Sequence, residues 1–160
     1  MPVKPGTDAA LALAIARWMI DNKQYDANFL RNTSQTGANA HGETSWCNAT
    51  YLVRLDNKTL LRAPDAGLNG TKDDFVVASN GTSVVYNSVE QADLEADLVV
   101  NSIPCKSVFT LYRERVQEKT LAEYANICDI DVGLITQIAR DFAAAGKGAV
   151  SDHYRGPVQH

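Results

Sequence analysis

The feature that most constrains this chain is the helix start Pro5-Gly6-Thr7-Asp8, which runs straight into Ala9-Ala10-Leu11. Pro suits the first turn of a helix, and Thr7 and Asp8 offer side-chain oxygens where the free N–H groups of a helix mouth collect. Leu11, Ile15, Trp18 and Met19 then recur at helical spacing, and the alanines between them allow close approach to a sheet or another helix. These residues predict a helix that starts at Thr7, is capped by the Thr7 hydroxyl, and fades near Asn22. At the far extremity the chain runs out in Asp152-His153-Tyr154-Arg155-Gly156-Pro157-Val158-Gln159-His160, with no element after it. Independent domains end in expendable polar residues. A phosphate-suited turn at one extremity and a cluster of His, Arg and Gln at the other read instead as a piece of a larger protein.

The 160 residues, 45% hydrophobic and 21% charged, suffice for a soluble fold with a real core. A net charge of -4 provides no positive field to gather phosphates, so nucleic acid is not an expected partner. The longest apolar stretch, 9–20, is broken by Arg17 and is shorter than the roughly 20 residues of a membrane span. It reads as a buried helix, and no direct membrane insertion is expected. The first residues lack the basic, apolar and small-residue order of a signal peptide. Cys47, Cys105 and Cys128 are too widely and unequally spaced for a metal knuckle or a disulfide framework, and read as inert thiols. Asn-x-Ser/Thr triplets begin at Asn32, Asn48, Asn57, Asn69 and Asn80, as chance allows in an Asn- and Thr-rich chain.

Along the chain, residues 25–30 suggest a short second turn of helix, and 32–45, rich in Asn, Ser, Thr and Gly, read as loop. Short β-prone runs follow at 50–55, 59–62, 75–79 and 82–86. Asn80-Gly81 joins the last two as a two-residue hairpin turn, and Asp56-Asn57 serves the same purpose between the first two. The expectation is a small antiparallel β insertion over about 46–90 within a single domain. After an acidic stretch with Glu90, Asp93, Glu95 and Asp97 the chain returns to helices. Thr120-Leu121-Ala122-Glu123 is a capping box, and Asp131 caps a last helix whose core face is Leu134, Ile135, Ile138, Ala139 and Phe142. Gly146 supplies its left-handed stop, and 148–151 reads as a buried strand with the polar tail at its C-terminal end, where α/β folds place ligands.

A well-made helix start accounts for Pro5 to Asp8 without any ligand. The functional reading is that Gly6 lets a ligand approach the backbone, the helix mouth offers N–H groups, and Asp8 accepts from a donor-rich base edge such as that of guanine. A carboxylate repels phosphate, so Asp8 suits the base or ribose end of a nucleotide. Arg155 and Gln159, four apart around Gly156-Pro157, offer two polar side chains to one ligand. Ser151, Asp152 and His153 are consecutive and so cannot converge as a catalytic triad, and His41, His153 and His160 are too scattered for a metal site.

Pro5-Gly6-Thr7-Asp8-Ala9-Ala10-Leu11-Ala12-Leu13-Ala14, with Tyr25-Asp26 and Phe29-Leu30, resembles the catalytic subunits of molybdopterin oxidoreductases of the dimethyl sulfoxide reductase superfamily. Leu121-Ala122-Glu123-Tyr124, Ile138-Ala139-Arg140-Asp141-Phe142 and Tyr154-Arg155-Gly156-Pro157-Val158-Gln159-His160 look like that superfamily's later stretch, a helix pair leading to a strand and a Gln-His. Asn48-Ala49-Thr50-Tyr51-Leu52-Val53, the β-rich insertion and the stretch 146–160 are most similar to its tetrathionate-reducing branch.

The resemblance implies an α/β fragment of a guanosine-binding, Rossmann-like domain. It also implies the cofactor bis(molybdopterin guanine dinucleotide) with molybdenum in a larger parent. Carried onto this chain, Gly6, Thr7 and Asp8 would contact one guanosine end, and Arg155 and Gln159 would face the pterin or the substrate funnel. A 4Fe-4S motif, the molybdenum-ligand segment and the barrel domain that grips the pterins have no counterpart in these residues, so the piece alone is expected to be inactive. For the parent, the implied chemistry is two-electron reduction of a sulfur oxyanion, tetrathionate to thiosulfate. Iron–sulfur and membrane-anchor subunits would be its partners, at the periplasmic face of the cytoplasmic membrane. Rival readings are a free-standing nucleotide-binding or interaction module, or a segment of a thiosulfate, polysulfide or arsenate reductase. Apolar surface left without the rest of the parent protein would favour self-association into a homo-oligomer.

Overall fold

A computed structural model describes residues 3–146, and these divide into two compact units. In chain order the elements are α1 (Asp8–Asp21), α2 (Ala27–Arg31), α3 (Gln35–Ala40), β1 (Leu52–Arg54), β2 (Val76–Ser79), β3 (Thr82–Val85), a 3-10 turn (Tyr86–Ser88), β4 (Asp97–Val100), β5 (Ile103–Ser107), α4 (Val108–Gln117), α5 (Leu121–Cys128) and α6 (Val132–Ala145). The first unit comprises the described residues up to Tyr25 and from Val116 onward; the second is the continuous stretch Asp26–Arg115.

The first unit is helical. Ala14 of α1 is fully buried against Tyr124 and Ala125 of α5 and Ile135 of α6, and Ala10, Leu11, Leu13 and Ile15 flank that contact. A side chain of one carbon lets the neighbouring helices close on α1, as the run of alanines predicts. Arg17 donates through Nη1 to the carbonyl of Gln117 (3.1 Å), which the end of α4 leaves open, and to that of Lys119 (2.9 Å) in the turn after it. The Thr120 capping box forms as read: Thr120 N–H donates to Glu123 Oε2 at 2.6 Å, and Glu123 N–H donates to Thr120 Oγ1 at 3.2 Å. The Thr120 backbone N–H, with its hydroxyl, holds the Glu123 carboxyl below the usual range. Asp131 caps α6 by accepting from Gly133 N–H at 2.7 Å, and Gly146 ends it at φ 53. The buried face of α6 is narrower than expected. Ile135 and Ala139 are fully buried, but Leu134 is 41% and Phe142 40% exposed, since residues on the rim of an apolar stripe reach solvent unless a further layer covers them.

In the second unit β1, β5 and β4 form one antiparallel sheet in that order, and β2 and β3 form a hairpin. Asn80 (φ 50) and Gly81 (φ 74) make the expected turn with positive φ at both positions. The run 59–62 contributes isolated bridges, Val53 to Leu60 and Arg62 to Phe75, and the turn before it takes positive φ at Lys58. One core joins Leu52, Leu61, Val76, Ala78, Val100 and Cys105; another gathers Tyr51, Val77 and Ala92 with Phe75 and Tyr86. Tyr51 donates from its hydroxyl to the Thr33 carbonyl at 2.9 Å, and burial pushes its phenol pKa up.

Two expectations are corrected here. The stretch 32–45 is not all loop: Ser34 accepts from Gly37 N–H and starts α3. Gly37 is required there by packing, since a Cβ would lie 2.1 Å from the Glu90 carbonyl oxygen. The β structure also continues past 90, because Asn101 (φ 47) and Ser102 (φ 65) turn β4 into β5 with no glycine. The fold is thus mixed helix and strand with small antiparallel sheets. The expected strand at 148–151 and the tail after it lie outside the described residues. Cys105 and Cys128 are buried and Cys47 half-buried, all free.

Gly37→Ala should lower stability by about 1–3 kcal/mol, read from urea unfolding, because the Glu90 backbone cannot yield to a methyl group. Thr120→Ala should cost about 1 kcal/mol. Because the folded pKa of Glu123 is depressed, its contribution is present above the ordinary Glu range and is lost as pH falls through the folded value. Glu123→Gln should therefore flatten the acid limb of the stability profile.

Candidate functional site

Lys4, Pro5, Gly6 and Thr7 form a tight turn in which Thr7 N–H donates to the Lys4 carbonyl at 3.2 Å. Pro at the second position and Gly at φ 80 in the third are the residue order of a type II turn. The turn hangs on α5: Lys4 N–H donates to the Cys128 carbonyl at 3.1 Å, and the Cys128 thiol donates to the Thr7 carbonyl at 3.6 Å. The Thr7 carbonyl also takes the first helical bonds, from Ala10 (2.9 Å) and Leu11 (3.1 Å).

The Thr7 hydroxyl does not cap α1. It donates to the Lys4 carbonyl at 2.6 Å, and Thr7 sits at φ -112, ψ 14, outside the extended backbone that a capping residue adopts. The turn places that carbonyl next to the hydroxyl, so Thr7 braces the turn and leaves the helix mouth open. The contrast with other helices is direct: Asp26, Ser34, Thr120 and Asp131 cap α2, α3, α5 and α6.

Gly6, Thr7 and Asp8 thus come together at a helix mouth without a side-chain cap. A Cβ built on Gly6 meets nothing within 4 Å, so the backbone there is open to approach. Asp8 is exposed in the first turn of α1. The arrangement sets backbone donors suited to an oxygen acceptor beside a carboxylate suited to N–H donors. Lys4 and Cys128 belong to this site as its supports. The Pro-Gly pair was a usable signal for Lys4 as the accepting end of a turn; nothing in the sequence marks Cys128. Arg155 and Gln159, expected to face the same ligand, lie outside the described residues.

Among the described residues no group of three or more His, Cys, Asp and Glu side chains is arranged to hold a metal ion. No helix among them is long and apolar enough to cross a membrane. His41 is half-buried with Nε2 3.5 Å from Glu90 Oε2.

No protein-family model matches the chain. A selenate reductase subunit from Mesobacillus selenatarsenatis is 37% identical over 169 aligned positions, covering 100% of this chain and 16% of that protein. A tetrathionate reductase subunit from Salmonella typhimurium is 31% identical over 95% of the chain and 16% of its own length. The corresponding tetrathionate reductase subunit from Archaeoglobus fulgidus is 31% identical over 100% of the chain and 14% of its length. The chain therefore spans only 14–16% of the length of these relatives. With identity of this level sustained along its whole length, the chain belongs to the molybdopterin oxidoreductase family, as a segment of the catalytic-subunit sequence.

Proposed function

We propose that this chain is part of the guanosine-binding, Rossmann-like region of a molybdenum oxidoreductase catalytic subunit, and that it contributes cofactor contacts rather than redox chemistry. The observation that carries the reading is the full-chain identity to selenate and tetrathionate reductase subunits. The geometry at α1 supports it: the open backbone at Gly6 and the uncapped mouth suit a nucleotide, and Asp8 suits the donor edge of guanine. Thr7 braces the turn that presents them. A bound bis(molybdopterin guanine dinucleotide) would supply a molybdenum centre for two-electron transfer to an oxyanion. Arg155 and Gln159 are proposed to line the pterin or substrate side of the same cleft.

The full-length protein would work with iron–sulfur and membrane-anchor partners at the outer face of the cytoplasmic membrane, its 4Fe-4S centre lying beyond this segment. Tetrathionate is the substrate favoured by the likeness around Asn48 to Val53. Selenate is the second reading, favoured by the 37% identity to a selenate reductase subunit over the whole chain. Oxidation of a reduced dye by the full-length enzyme, with each oxyanion in turn, decides between them.

Asp8→Ala in the full-length protein should lower the molybdenum and guanine nucleotide recovered from the purified enzyme. The lost base contact leaves donors unpaired at a cost of about 1–3 kcal/mol. Normal content and activity would remove Asp8 from the site. Gly6→Ala forces a side chain into left-handed backbone and should cost about 1–2 kcal/mol of stability in thermal unfolding.

A further inference from the structure

Two Asn-Gly pairs lie exposed in the second unit, Asn69-Gly70 and Asn80-Gly81. In such a pair the backbone nitrogen of the glycine can attack the asparagine side-chain carbonyl carbon. A C–N bond forms, the side-chain amide leaves as ammonia, and a cyclic imide results. Water then opens the ring at either carbonyl, giving aspartate or an isoaspartyl linkage that carries the main chain through the β-carbon. The attack needs a glycine N–H that is free to give up its proton.

The two pairs differ on that point. Gly81 N–H donates to Asp93 Oδ2 at 2.9 Å, and both turn residues are held at positive φ by the register of β2 and β3. The Asp93 carboxylate holds the proton and repels the negative charge that would develop on the nitrogen. Among the described residues, no hydrogen bond holds Gly70 N–H. The nearest carboxylate, Asp74, is taken up by Thr71, whose N–H and hydroxyl donate to its Oδ2 at 2.7 and 2.9 Å.

We propose that Asn69 is a site of spontaneous deamidation and isoaspartate formation, and that Asp93 protects Asn80 from the same reaction. The product would disturb its loop. Gly70 is packed so closely that a Cβ would lie 2.8 Å from that of Ala63, and Ala63 N–H is bonded to the Asp74 carbonyl at 3.0 Å. An extra main-chain carbon has no room there, and the new carboxylate joins Asp73 and Asp74.

Incubating the whole chain at mildly alkaline pH, followed by proteolysis and mass spectrometry, tests the proposal. The peptide containing Asn69 should gain the mass of amide-to-acid conversion and an isoaspartyl linkage, while Asn80 keeps its amide. Asp93→Ala should raise the rate at Asn80 about tenfold, the value of one charge-assisted hydrogen bond. Asp93→Asn, whose amide oxygen still accepts, should restore part of the protection and shows that a rise in Asp93→Ala is not mere unfolding. Equal rates at the two asparagines in the parent chain would overturn the proposal. So would an intact Asn69 over the time in which the urea-unfolded chain converts, or an unchanged Asn80 rate in Asp93→Ala.

Discussion

The Lys4 N–H bond to the Cys128 carbonyl, at 3.1 Å, fixes where α1 starts, because it hangs the Lys4-Pro5-Gly6-Thr7 turn on the end of α5. From that anchor the rest of the helical unit follows. α1 leaves the turn with Ala10 and Ala14 toward its neighbours, and Tyr124, Ala125 and Ile135 close over Ala14 with no intervening side chain. The same turn draws the Thr7 hydroxyl back to Lys4 and away from the helix mouth. One backbone geometry therefore sets both the packing of the unit and the availability of the donors that the proposed nucleotide would use.

The continuous second unit has a different kind of support. Tyr51 is 5% exposed, donates to the Thr33 carbonyl and packs on Phe75 with ring centroids 4.7 Å apart. Its phenol thereby ties the start of the β region to the residues between α2 and α3. Thr33 of that segment and Gly37 of α3 meet the backbone around Glu90, Thr33 by donating its N–H at 3.1 Å. Side-chain apolarity alone would not specify such contacts, because they are made by backbone at close range.

Local chemistry was legible where a few adjacent residues decide the outcome. Asn80-Gly81, Thr120 with Glu123, and Asp131 each satisfy a backbone need within three residues, and each adopts the expected form. What escaped either lacked a distinctive local mark or depended on a contact far along the chain. α3 occupies a stretch whose composition reads as loop, held by Ser34 and by the fit of Gly37 against Glu90. The β4–β5 hairpin turns on Asn101 and Ser102, which lack the glycine that marks such turns. At the candidate site, the turn and helix start at Gly6 to Asp8 were readable. The role of the Thr7 hydroxyl was not, since a threonine before a helix looks the same whether it serves the helix or the turn behind it.

The discontinuity of the helical unit has a consequence for biosynthesis. Arg17 bonds to carbonyls 100 and 102 residues further along, so α1 reaches the ribosome exit long before its partners are made. At about 5–20 residues per second this leaves it without those partners for about 5–20 seconds. A helix of 14 residues is marginal in water by itself. The stretch Asp26–Arg115, complete in sequence, can collapse first. Of these two units the one whose first helix is made earlier is thus completed later, and in the interval Leu11, Leu13 and Ile15 lack the partners that cover them in the folded unit.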